Sequence, residues 1–134
     1  MITESPFVIF SAELASLSEE SNRNRTALMA GALSNRGIEW QRVDGAYEGH
    51  REASFLVFTY EGSDTADQIE KLAQHYQQES ILYVDAQRLA YLLMVREGRT
   101  IELGKFKELT WAEAERASNY TEIGGRVYGT AQAV

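Results

Sequence analysis

Gly45-Ala46-Tyr47-Glu48-Gly49-His50-Arg51-Glu52 gathers an aromatic ring, two carboxylates, an imidazole and a guanidinium between two apolar stretches. Side chains of those types can bind, orient or exchange protons with a polar substrate, provided something rigid holds them. Ala53 to Tyr60 supplies that rigidity, because its aromatic and β-branched residues read as a stiff strand with Glu52 at its head. The glycines permit a tight turn and leave open space above it. A polar, glycine-containing segment is also what an ordinary hairpin connection looks like, so residue types alone leave both readings open.

Composition narrows the classes. With 134 residues, 44% of them hydrophobic, the chain reads as one domain over 1–134 with a single core. Thirteen basic against 20 acidic residues give a net charge of -7, which repels phosphate backbones and argues against nucleic acid as a partner. Cysteine is absent and His50 and His75 are the only histidines, so disulfides, thiol nucleophiles and a structural zinc site are excluded; no metal and no cofactor is expected. Met1 to Pro6 carries no positive charge and the apolar run Phe7 to Phe10 is short for a signal or a span, which predicts a cytoplasmic protein with no membrane partner. No repeat or low-complexity segment occurs.

The elements follow from periodicity. Phe7-Val8-Ile9-Phe10 fits a buried strand. A helix is predicted from about Ser18 to Arg36, capped by Ser18 or Ser21, with Leu28, Met29, Ala32 and Leu33 on its apolar side. Arg23 and Arg25 oppose the dipole of its first turns, which suits a ligand or partner. Ile38 to Asp44 and Ala53 to Tyr60 make a hairpin. Thr65-Ala66-Asp67-Gln68 has capping-box form ahead of a second helix with Ile69, Leu72, Ala73 and Tyr76 inward. Ser80 to Val84 and Leu89 to Val95 are strands around a turn at Asp85 to Arg88, and Thr100 to Leu103 is a weaker one. Thr110 to Ala117 reads as a short helix with Trp111 on its apolar side, and Tyr120 to Thr130 as a strand or an arm reaching a neighbouring subunit.

The order β-α-β-β-α-β predicts an α+β, ferredoxin-like antiparallel sheet with two helices on one face and additional C-terminal strands. Phe55 to Phe58 and Leu89 to Val95 are apolar on both alternating sets, so both sheet faces must be dry. Self-association through the helix-free face is the expected cover, with a homotrimer as the leading form.

Three pieces, in this order, resemble the bacteriophage enzymes that degrade S-adenosylmethionine (SAM), the SAM lyases formerly called hydrolases. They are Phe7-Val8-Ile9-Phe10-Ser11-Ala12, Gly45-Ala46-Tyr47 followed by Glu52, and Leu72-Ala73 with Gln78-Glu79-Ser80-Ile81-Leu82-Tyr83-Val84. The resemblance implies an intramolecular reaction in host cytoplasm. The substrate's carboxylate attacks its own Cγ, releasing 5′-methylthioadenosine and homoserine lactone, and SAM is depleted as an anti-restriction activity. It also implies trimers with sites between subunits, and Glu52 and Tyr47 as catalytic residues; Ser11, Arg51 and Glu79 are the candidate substrate-binding residues.

Plainer roles stand beside these. Glu48 and Arg51 read as a solvated pair, His50 as a loop residue, His75 as exposed, and Phe55, Phe58, Tyr83 and Tyr91 as core or interface. A non-catalytic nucleotide-sensing trimer and an acidic decoy protein are the competing functions, the decoy weakened by interspersed basic residues. A methyltransferase is disfavoured because G-x-G-x-x-G is absent.

Overall fold

Two dry faces on one strand need two covers, and the chain supplies both itself. The computed structural model describes residues 5–47, 50–60, 62–117 and 119–130. Along it run β1 (Phe7–Ser11), α1 (Glu19–Asn35), β2 (Gln41–Tyr47), β3 (His50–Phe58), α2 (Thr65–His75), β4 (Ser80–Val84), β5 (Leu89–Met94), β6 (Arg99–Leu109), α3 (Trp111–Arg116), β7 (Asn119–Ile123) and β8 (Arg126–Thr130). All neighbouring strands are antiparallel, and the order β1-β3-β2-β7-β8-β6-β5-β4 returns to β1 as a closed barrel.

The ferredoxin-like sandwich expected from the sequence is therefore wrong, and so is an oligomer packed through its free face. The second dry face is the barrel's own lumen. Phe7, Ile9, Val43, Leu56, Val84, Ala90, Phe106, Ile123 and Tyr128 pack inside it, with Phe7 edge-on to Phe58 and Phe106. The opposite side chains of β1, β3 and β4, among them Val8, Phe10, Phe55, Val57 and Ile81, meet Met29 and Leu33 of α1 and Ile69, Leu72 and Ala73 of α2. Every residue of β1 is buried because it lies between these two cores.

Closure depends on β6. Predicted as a short strand over Thr100 to Leu103, it runs 11 residues and pairs with β5 through Arg99 to Lys105 and with β8 through Phe106 to Leu109. The register slips at Ala90/Tyr91, and Gly104 sits in the left-handed region at φ 99°, where a side chain would be strained; bulge and glycine together bend the strand around the barrel. The Tyr120 to Thr130 segment is no arm: β7 and β8 form a hairpin that fills the gap between β2 and β6.

Local details correct several expectations. Ser18 caps α1 by accepting from the Ser21 N–H, while Leu28 lies outside the buried stripe at 64% exposure. No capping box forms at α2; Asp64 precedes the helix and its carboxylate accepts from the Gln68 amide instead. The box occurs at α3, between Thr110 and Glu113, and Trp111 is half exposed against the edge of Tyr120 while Ala114 is buried. Tyr83 and Tyr91 pair, partly buried, on the outer face of β4 and β5. No described helix is long and apolar enough to cross a membrane.

Candidate functional site in the barrel lumen

The lumen has two unlike ends. Strand register puts Phe7, Phe58, Val84 and Ala90 together at one end, and Ser11, Glu52, Ser54 and Ser80 together at the other. The apolar end is plugged. At the polar end a cavity of about 130 Å³ opens to the surface, space for one arm of a nucleoside-sized ligand and not for the whole of it.

Glu52 is the only acidic side chain on the wall of that cavity among the described residues, and no Lys, Arg or His shares the wall with it. It lies opposite Gly45 on β2, and Gly45 lies opposite Thr121 on β7, so a residue without a side chain stands between two inward polar groups. A Cβ on Gly45 would meet the Ser54 hydroxyl at 3.1 Å; the glycine therefore leaves room and is not required by its backbone angles. Among the described residues the Glu52 carboxylate has no hydrogen-bond or ion-pair partner. Its pKa is raised above the usual 4.5, first by burial and then by the neighbouring Glu13 carboxylate, with His50 pulling weakly the other way. A carboxylate so placed is stabilised by a cation that enters the lumen.

The remaining predicted residues divide. Ser11 lines the cavity, its hydroxyl donating to the Ala53 carbonyl at 2.8 Å and accepting from the Glu13 N–H at 3.0 Å. Tyr47 closes β2, its backbone opposite His50 on one side and Asn119 on the other, one row nearer the mouth than Gly45. Arg51 points out of the barrel and pairs with Glu122 at 2.7 Å; this bond raises its pKa. Its expected partner Glu48 lies outside the described residues. Glu79 is exposed on the outer side, and its neighbour Ser80 is the one that reaches the lumen. His50 belongs to β3 and not to a loop, and both it and His75 are exposed. Of the early arginines, Arg25 donates to the carbonyls of Ala12 and Tyr76 and stacks over the Tyr76 ring, tying α1 to the end of α2.

Sequence reasoning missed Ser54, Gln78, Asn119 and Thr121, all on the cavity wall. Gln78 and Thr121 are buried, and the Asn119 Oδ1 is a buried acceptor with no partner among the described residues. A signal existed: Ser11, Ser54 and Ser80 interrupt apolar alternation at the strand ends that meet in one ring. Among the described residues no cluster of His, Asp and Glu is arranged to hold a metal.

Fold and site together define a small closed barrel with a polar opening at one end, its wall carrying Glu52. The chain belongs to the S-adenosylmethionine lyase family, whose model matches residues 8–131. No curated protein matches it.

Proposed function

We propose that the protein cleaves SAM into 5′-methylthioadenosine and homoserine lactone. The observation that carries the reading is Glu52, a carboxylate with no partner among the described residues, in a cavity whose described wall holds no cationic side chain. SAM offers an ammonium and a sulfonium, and its own carboxylate must stay free to react.

Glu52 binds the ammonium by charge-assisted hydrogen bonds and draws it away from the substrate carboxylate. Among the described residues no arginine or lysine on the wall competes for that carboxylate. One of its oxygens attacks Cγ, the C–S bond breaks, and the bonding pair returns to sulfur as the neutral thioether. Carboxylate and sulfonium charges vanish together, so a partly dry lumen favours the transition state over the charged ground state. Holding the flexible chain in a bent, near-attack form is the main task, and such positioning contributes up to about 7–11 kcal/mol in ideal cases. Tyr47, the residue the family resemblance points to beside Glu52, is proposed to orient the same arm or to face the sulfonium with its ring. The cavity takes the amino-acid arm, and the adenosine remains at the mouth.

Depleting the methyl donor would disarm restriction systems that require it, which is the anti-restriction role proposed here. A homotrimer with sites between subunits, implied by the resemblance, would place a neighbour against the open mouth; sedimentation of the purified protein reads it directly.

Incubating purified protein with SAM in H₂¹⁸O and resolving products tests the reaction. Methylthioadenosine with unlabelled lactone supports it. Labelled homoserine formed without lactone would make the protein a hydrolase, and unchanged SAM would leave a binding protein.

A further inference from the structure

A second carboxylate, Glu13, stands beside Glu52, and its surroundings fix it firmly. The stretch that follows β1 has no regular structure, yet its carbonyls are engaged in turn by side chains from other elements. Arg25 donates to Ala12 O at 2.6 Å, Gln78 to Glu13 O at 3.0 Å, and Asn22 to Leu14 O at 3.0 Å while accepting from the Leu14 N–H at 2.9 Å. Held this way, Glu13 accepts the Ala53 N–H at 2.6 Å, and Ser11 takes the Ala53 carbonyl. Both backbone groups of the residue after Glu52 are thus bound by side chains from the β1 end.

We infer that Glu13 is a positioning residue for Glu52: it fixes the backbone at Ala53 and adds a second negative charge that makes the mouth select a cationic substrate arm. The inference rests on Glu52 as the ammonium-binding group. The plainer role, a side chain that merely prolongs the ladder between β1 and β3, predicts no change in how Glu52 titrates. The charged groups that face Glu52 are Glu13, from the stretch after β1, and His50, on β3 itself; among the described residues the cavity wall contributed by β2 and β4 to β8 adds the phenols of Tyr120 and Tyr128 and no charged side chain. Two opposing influences allow a test with opposite signs.

The Glu52 carboxyl is titrated by carbon-detected NMR in the free protein, and the pH dependence of kcat/KM for SAM is measured alongside. Glu13→Gln keeps an acceptor for the Ala53 N–H and removes the charge. Its Glu52 midpoint, and the acid limb of kcat/KM, should move to lower pH, and the binding preference for SAM over its thioether counterpart, which lacks only the sulfonium charge, should fall several-fold. His50→Gln should move both to higher pH. Glu13→Asp keeps the charge and shortens the reach, so kcat/KM should fall while the midpoint moves less; it carries the test if Glu13→Gln does not fold. A Glu52 midpoint unchanged in folded Glu13→Gln, or a kcat/KM unchanged in Glu13→Asp, overturns the assignment. The titration needs no turnover, so a protein that leaves SAM intact would refute the lyase reading and still decide the role of Glu13.

Discussion

Replacing Glu52 by Gln separates a residue kept for function from one kept for folding, because the two roles predict opposite changes in stability. The carboxylate is partly buried beside another negative group and has no partner among the described residues, and its pKa in the folded chain lies above the ordinary 4.5. The folded state therefore binds the proton more tightly than the unfolded state, and ΔG of unfolding falls as pH rises from 4.5 through the folded pKa. At pH 7 the wild-type protein bears the full cost of the charge, whereas the neutral glutamine bears none. Glu52→Gln should melt at or above the wild-type temperature at pH 7, and the advantage should shrink as the buffer is taken below about 4.5. Turnover should move the other way. A charge-assisted hydrogen bond is worth about 1.5–3 kcal/mol, so kcat/KM for SAM should fall at least about ten- to 100-fold, and further if freeing the substrate carboxylate also depends on Glu52. Calorimetry across pH and a product assay on the same preparations read both effects. A variant that is less stable at pH 7, or one that keeps wild-type turnover, refutes the reasoning.

Three further outcomes follow from the lumen and its surroundings. Gly45→Ala puts a Cβ 3.1 Å from the Ser54 hydroxyl, which can turn aside, so stability should change by less than about 1 kcal/mol, while Gly45→Val should fill the cavity and raise KM with the melting temperature nearly kept. Arg51→Ala removes an exposed outer pair with Glu122, so denaturant unfolding should register less than about 1 kcal/mol and turnover should be unchanged; a large loss of activity would put Arg51 back at the substrate. Phe7→Ala empties the plugged end of the lumen, where the ring is fully buried against Phe58 and Phe106, and should cost about 3–5 kcal/mol in urea unfolding, a large part of the stability of a domain this size.

Much of the chain was legible at the level of elements, since β1, β4, β5 and both long helices lie close to where periodicity puts them. Closure was not. A strand such as Phe55 to Phe58 records that both its faces are dry, and it cannot record whether the second cover is a partner subunit or the far wall of the same sheet. Closure turns on β6, read from the sequence only over Thr100 to Leu103; Gly104-Lys105-Phe106-Lys107 breaks the earlier pattern, and its exposed lysines lie on a long bent strand. The site was half legible for a similar reason. Glu52 is visible locally as an acid at the head of a stiff strand, whereas Thr121 and Asn119 reach the same cavity only through the register of β2 with β7. Glu13 acts through an Ala53 hydrogen bond that no motif encodes.

The two ends of the lumen answer different physical demands, and their separation explains how a barrel this small can hold a polar opening. Packing the far end with Phe7, Phe58, Phe106 and Val84 stabilises the closed sheet by burying apolar area, so the near end need contribute little to folding and can keep polar side chains and empty volume. An acid with no counterion among the described residues is tolerable only under that division. If instead the polar end were a structural requirement, filling it with matched apolar residues, as in Glu52→Leu with Ser54→Ala, would destabilise the barrel. On that division the double variant should be at least as stable as wild type at pH 7 and inactive toward SAM, because it removes a partly buried charge and leaves the packed end untouched.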